Sequence, residues 1–284
     1  MDKTKIKIVG IGEGGARAVV KMIAMGLGKK ENVEFVSVGK DENILLTSAT
    51  RNNIFLNQDP PTIYKSISMA LRDAKIVILV AGIGGSAAVK ALPRIISFSK
   101  NINAATVAFV NKPFVLENME RKKNAEYCLN CLREVDTSFI LPAEKFFLFR
   151  LYQREISIGE LFEVANEIFS MGARIFLDMS SDKNSPLKLG KAAFGYGLGA
   201  TVLEAVKNAV KFPAFEPEEF NHSKKIFVRH TGGEDKQAKN FIREIIQPDA
   251  KLFWQVDNSH GEKILASIIF KGEGIREKGE GIRF

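Results

Sequence analysis

Ile6-Lys7-Ile8-Val9-Gly10-Ile11-Gly12-Glu13-Gly14-Gly15 opens on a run of buried-strand type and closes in a glycine-rich turn. The same design returns at Lys75-Ile76-Val77-Ile78-Leu79-Val80-Ala81-Gly82-Ile83-Gly84-Gly85. A helical pattern follows each turn, so each sets unpaired backbone N–H groups where an anion can rest. Two such turns predict a ligand gripped from two sides.

Outward from these turns, strand and helix patterns alternate. Strands are predicted at 6–10, 33–38, 75–80, 105–110 and 137–141, with helices at 14–27, 62–72, 86–99 and 119–134 between them. That alternation predicts a parallel sheet of Rossmann-like type with helices on both faces and ligands bound where strands run into loops. An amphipathic segment, Ile158 to Met179, comes next. Leu161, Ala165, Ile168, Gly172, Ile175 and Met179 form one apolar row, and Phe162, Phe169 and Phe176 a second. Two rows predict a helix covered over much of its circumference, as a central helix between domains would be. Asn166 is among the few polar residues beside those rows; it reads either as a satisfied structural amide or as a contact to a base.

Beyond the loop-like Ser180-Ser181-Asp182-Lys183-Asn184-Ser185-Pro186, the pattern gives a helix at 200–211, a proline-containing connection at 213–217 and a strand at 225–230. A helix at 236–246 and strands at 251–256 and 263–270 complete a smaller α+β domain. The predicted organisation is 1–157, the helix 158–180, 181–270, and a flexible tail 271–284 in which Gly-Glu-Gly-Ile-Arg occurs twice.

Composition narrows the class. The 284 residues are 45% hydrophobic and 26% charged, as expected of a chain with a packed core. No apolar run approaches the roughly 20 residues that span a bilayer, so the expectation is a cytoplasmic protein without direct membrane insertion. The net charge of +8 is dispersed in short pairs such as Lys29-Lys30 and Lys122-Lys123, which reads as solvated surface and not as a nucleic-acid interface. Cys128 and Cys131 have Cys-x-x-Cys spacing, but no second pair exists and His222, His230 and His260 lie far along the chain. They read as two helix thiols, with no metal site.

In order, these pieces resemble the FtsZ family of the tubulin superfamily over about residues 5–270. The resemblance rests on Ile6 to Val19, Ala81 to Pro93, and Lys112-Pro113-Phe114-Val115-Leu116-Glu117-Asn118-Met119-Glu120-Arg121, which looks like the family's Pro-Phe-x-Phe-Glu-Gly-x-x-Arg. Val135-Asp136-Thr137, Leu161 to Asn166, Thr231 to Asp235 and Pro248-Asp249-Ala250 add to it. The resemblance implies a GTPase-type domain, a central helix, a second domain and head-to-tail self-association into filaments. It further implies GTP or GDP as ligand, with Mg only alongside the nucleotide. The phosphates would lie on Gly12, Gly14, Gly15 and Arg17 and on Gly84, Gly85, Ser86, Ala87 and Ala88; the ribose by Glu117 and Arg121; the guanine by Phe162 and Asn166.

The phosphate end departs from the family. Where the family has Gly-Gly-Gly-Thr-Gly-Thr-Gly, this chain has lost every threonine around Gly84-Gly85-Ser86-Ala87-Ala88-Val89-Lys90. Glu13 stands at a family glycine and Arg17 at a family asparagine. A carboxylate about 5 Å from a phosphate costs on the order of 3 kcal/mol at an effective dielectric near 20, so pairing by Arg17 or Lys90 is expected. The family's Asn-x-Asp-x-x-Asp loop is shortened here, with Asp182 the weak candidate for its acids and Asp178 another, and its Asn-Asp before the central helix is replaced by Ala143-Glu144. The chain also stops soon after its last strand, so any membrane link is expected to use another surface or another protein. The expectation is a guanine-nucleotide-binding, self-assembling protein with weak or lost GTPase activity, in a cytoskeletal or scaffold role such as division or membrane remodelling. Three alternatives stand beside it. One is an active GTPase with rearranged groups; another is a nucleotide-free scaffold. The third is an NAD-dependent oxidoreductase, since Gly10-x-Gly12-x-x-Gly15 with Glu34 or Asp41 downstream fits the dinucleotide fingerprint.

Overall fold

The computed structural model describes residues 5–42, 50, 52–144, 158–180, 186–212, 217–257 and 264–271, with the backbone alone at 158–163, 180, 217 and 218. Of the predicted tail, 271–284, Lys271 ends the last strand and 272–284 lie outside the described residues. The chain divides into two compact units, Met1–Gly190 and Lys191–Phe284.

In the first unit β1 (Ile6–Ile11), β2 (Val33–Gly39), β3 (Asn52–Phe55), β4 (Ile76–Gly82), β5 (Ala105–Lys112) and β6 (Thr137–Pro142) pair in the order β3-β2-β1-β4-β5-β6, all parallel. Near-continuous Val, Ile and Ala in β1 and β4 suits strands buried on both faces. One face carries α2 (Pro60–Leu71), α3 (Ser86–Asn101) and α4 (Met119–Cys131), packed over Val9, Val36, Leu79 and Val110. The other carries α1 (Gly12–Ala24) and α5 (Ile158–Ser180). There Phe109 and Phe139 stack at 4.5 Å between centroids, and Phe176 meets both edge-on. Ser170 Oγ donates to the carbonyls of Ala18 and Asn166, which ties α5 to α1 at the level of the cavity described below.

The strand order reverses at β1, which lies between β2 and β4. Connections leave β1 and β4 toward opposite faces, so a crevice opens between their C-terminal ends, the place where open α/β sheets bind ligands. Both glycine turns sit there. Helix α1 reaches the sheet because Gly10 and Gly15 lack side chains: a Cβ on Gly15 would lie 2.4 Å from the Val80 carbonyl oxygen, and one on Gly10 2.4 Å from that of Gly15. The glycines draw α1 against both strands.

The second unit holds β7 (Gly190–Gly199), α6 (Val202–Val210), α7 (Pro217–Asn221), β8 (Lys225–Thr231), α8 (Lys236–Ile245), β9 (Lys251–Asp257) and β10 (Ile264–Lys271). Its strands pair in the order β7-β10-β8-β9, with β10 antiparallel to both neighbours and β8 parallel to β9. Phe220 and Phe270 meet edge to face in its core. Strands β3 and β7 are absent from the sequence-based prediction.

Candidate functional site

A cavity of about 760 Å³ occupies the crevice of the first unit. Its floor is the start of α1 and α3, the two helices that follow the glycine turns. Neither is capped by a side chain: Ile11 precedes α1 and Gly85 precedes α3. In contrast, Asp59 caps α2, Asn118 caps α4, Thr201 caps α6 and Asp235 caps α8, each accepting from a backbone N–H of the first turn. The first N–H groups of any helix lack intrahelical partners. Where a serine, aspartate or asparagine is withheld at the N-cap, those donors and the positive end of the dipole remain for a ligand.

Asn166 on α5 forms part of the wall. It is 4% exposed, and its side-chain amide makes no hydrogen bond among the described residues. Its amide therefore has its hydrogen-bonding capacity left over at the cavity wall, where water or a ligand can meet it. Ala165 and Phe169 of the same helix form an apolar surface beside it, and Asn111 at the end of β5 adds a polar group.

Of the residues expected at the site, Gly12, Gly14, Arg17, Gly85, Ser86, Ala87, Ala88, Arg121 and Asn166 line the cavity. Gly15 stands behind them under Val80, and Gly84 packs beneath Pro113 and Arg121. Glu117 also stands behind the wall: it forms an ion pair with Arg121 and accepts the Phe114 N–H at 2.7 Å. Glu144 accepts the Val115 N–H at 2.6 Å, so two carboxylates hold the loop that leads into α4, the helix that carries Arg121. Asn124 donates to the Gly84 carbonyl at 3.1 Å and fixes the second turn against α4. The Phe162 side chain and Asp182 lie outside the described residues.

The charges at the phosphate end are partly neutralised. Arg17 donates to Glu13 Oε1 through two nitrogens, at 2.9 and 3.2 Å, which supplies the expected pairing; Lys90 does not line the cavity. Lys40, just past β2, and Asp41 also border it. Sequence reasoning omitted Lys40, Asn111 and Phe169 from the site; the one usable signal was position, since Lys40 and Asn111 lie at the C-terminal ends of strands adjoining the switch point. Glu34, the other acid of the dinucleotide fingerprint, binds Lys7 at 2.6 Å and does not line the cavity. Cys128 faces the core, where burial and the neighbouring Cys131 push its thiol up to about 12. It is therefore protonated near neutral pH.

A six-stranded parallel sheet in this order, with glycine turns at its reversal point and a mixed α/β unit after the long α5, is a tubulin-type fold. It superposes on FtsZ of M. jannaschii with a TM-score of 0.78 at 22% identity, covering 95% of this chain and 88% of that one. It also superposes on TubZ from Bacillus thuringiensis serovar israelensis, solved as a GTPγS-form protofilament, with a TM-score of 0.72 at 12% identity over 95% and 88% of the two chains. In sequence it is similar to the cell division protein FtsZ of Magnetospirillum gryphiswaldense, 26% identical over 310 positions, covering 95% of this chain and 54% of that protein. The chain thus spans about half the length of this curated relative, and no protein-family model matches it. The chain has the fold of the FtsZ/tubulin superfamily and a divergent sequence similarity to FtsZ. Among the described residues no helix is long and apolar enough to cross a membrane.

Proposed function

We propose that the cavity binds a guanine nucleotide, GTP or GDP, and that the chain assembles head to tail into filaments with weak or lost GTPase activity. The observation that carries this reading is the meeting of two uncapped helix N-termini and the buried, unpartnered Asn166 in one cavity. The N-termini suit phosphate oxygens, whereas an amide with both donor and acceptor suits the edge of a purine. Arg121 lines the same cavity, paired with Glu117, and its charge suits the sugar and phosphate region of such a ligand. A magnesium ion would arrive with the phosphates and neutralise their charge.

The similar TubZ structure is a GTPγS-form protofilament and the similar M. gryphiswaldense protein is a cell division protein, which supports a self-assembling, cytoskeletal role. Weak hydrolysis follows from the eroded phosphate end. Ser86 is the one hydroxyl left in the second turn, and it accepts a hydrogen bond from Lys40 instead of standing uncommitted. Calorimetry with GDP and GTP, sedimentation with and without GTP, and phosphate release on the full chain test this reading. Nucleotide binding with GTP-dependent sedimentation and little phosphate release supports it. Rapid turnover refutes the loss of catalysis, and assembly indifferent to nucleotide supports the scaffold alternative.

A further inference from the structure

Lys40 follows directly on β2, and its backbone is held from two sides. The Gly39 carbonyl accepts the Leu56 N–H at 2.8 Å, and Asn57 Nδ2 donates to the Lys40 carbonyl at 2.8 Å. Parallel pairing of β3 with β2 through Gly39 and Phe55 brings Asn57 there. From this fixed backbone the half-buried Lys40 side chain forms part of the cavity wall, and its Nζ donates to Ser86 Oγ at 2.9 Å. Among the described residues it makes no ion pair. Ser86 begins the 16-residue α3, so the ammonium stands at the partially positive end of a helix.

That arrangement is electrostatically unfavourable by itself. A cation at a helix N-terminus is repelled by the dipole, and anions belong there. Glu13 is already paired with Arg17, and Asp41, which also borders the cavity, makes no ion pair with Lys40. An ammonium and an uncapped helix end that face one space become favourable when an anion lies between them, sharing charge-assisted hydrogen bonds with both. The partner-free Asn166 in the same cavity independently marks that space as a ligand site.

Resting on the nucleotide reading above, we propose that Lys40 is a phosphate-binding residue of this cavity, steadied by Ser86, and that it replaces by charge the hydroxyl donors missing from the second glycine turn. The inference concerns binding alone. Its consequence is a nucleotide affinity that depends on phosphate and on the lysine together.

The test is titration of the full chain with GTP, GDP and guanosine by calorimetry, for the natural sequence, Lys40→Ala, Lys40→Arg and Ser86→Ala, with melting temperatures alongside. Lys40→Ala is expected to weaken GTP and GDP by roughly ten- to a hundredfold and to leave guanosine unchanged. Lys40→Arg should restore most of the loss, and Ser86→Ala should produce a smaller one. If Lys40→Ala leaves GTP and GDP within about twofold of the natural chain, or weakens guanosine equally, the assignment is overturned while the nucleotide reading stands. A lowered melting temperature with unchanged affinity overturns it too, because Lys40 is then only a strap to Ser86. If the natural chain binds neither nucleotide nor guanosine, the nucleotide reading itself falls and takes this inference with it.

Discussion

The two ends of the parallel sheet are built to opposite rules. At the N-terminal end, Lys7 is 5% exposed at its side chain and is met by Glu34 at 2.6 Å and Asp73 at 2.9 Å. Lys5 adds a second cation on Asp73 at 2.7 Å. These four charges are paired with one another. At the C-terminal end, two helices begin without side-chain caps, Asn166 is buried without a hydrogen bond, and Lys40 rests on a neutral hydroxyl. The same sheet that satisfies a buried lysine at one edge leaves polar groups unsatisfied at the other. The difference sets paired charges at one end of the sheet against open helix ends and an amide without a protein partner at the other, the contrast that the nucleotide reading uses.

That contrast can be broken by substitution. The largest effect is expected from Gly15→Ala, since its Cβ would meet the Val80 carbonyl oxygen at 2.4 Å and push α1 off the sheet. A loss of about 3 kcal/mol or more in denaturant unfolding is predicted; a stable variant would show that the two turns need no such contact. Next, Lys7→Ala leaves Glu34 and Asp73 facing each other across the strand ends. Both carboxylates are partly hydrated, so a loss of about 2 kcal/mol is expected, below that of a fully buried pair, with nucleotide affinity unchanged.

Acid sharpens the same comparison. The hydrogen bond from Lys5, followed by that from Lys7, lowers the Asp73 carboxyl from its ordinary 3.8 to about 2. Its contribution is therefore complete above the unfolded value and disappears as pH falls through the folded one. Stability should drop by on the order of 1 kcal/mol between about pH 4 and pH 2 after allowance for solvent screening. Asp73→Asn should flatten that portion of the acid profile in chemical unfolding; an unchanged profile would remove Asp73 from the account. The smallest effect is at the open end. Glu13→Gln removes a negative charge from the phosphate side and releases Arg17, so GDP affinity should rise by a few-fold, about 1 kcal/mol, with stability nearly constant because the pair is exposed. A fall in affinity would place the phosphates elsewhere.

Much of this architecture is legible in the sequence, because buried parallel strands and amphipathic helices write their periods plainly. Strand β7 is not. Gly190, Gly195, Gly197 and Gly199 obscure its period, and only the folded unit explains them: a Cβ on Gly197 would sit 2.2 Å from the Ala205 carbonyl oxygen, where α6 lies against the strand. Strand β3 is a short edge strand with polar Asn52 and Asn53, and no period survives in so few residues. At the site, the glycine turns and Asn166 stand out by residue type and spacing. Lys40 does not, since its meeting with Ser86 is set by the placement of β2 beside β1 and not by anything local to either residue. Glu117, assigned to ribose by resemblance, proves to be engaged with Arg121 and the Phe114 amide, a commitment that spacing alone does not reveal.

The most direct test is calorimetric titration of GDP into the full chain and into Asn166→Ala, with thermal melts of both. Asn166 gives up no side-chain hydrogen bond within the described protein, so its removal should leave melting nearly unchanged while weakening GDP by about ten- to a hundredfold. A chain that binds GDP equally well without this amide, or an Asn166→Ala variant that melts far lower, would contradict the claim that the cavity is built around a guanine nucleotide.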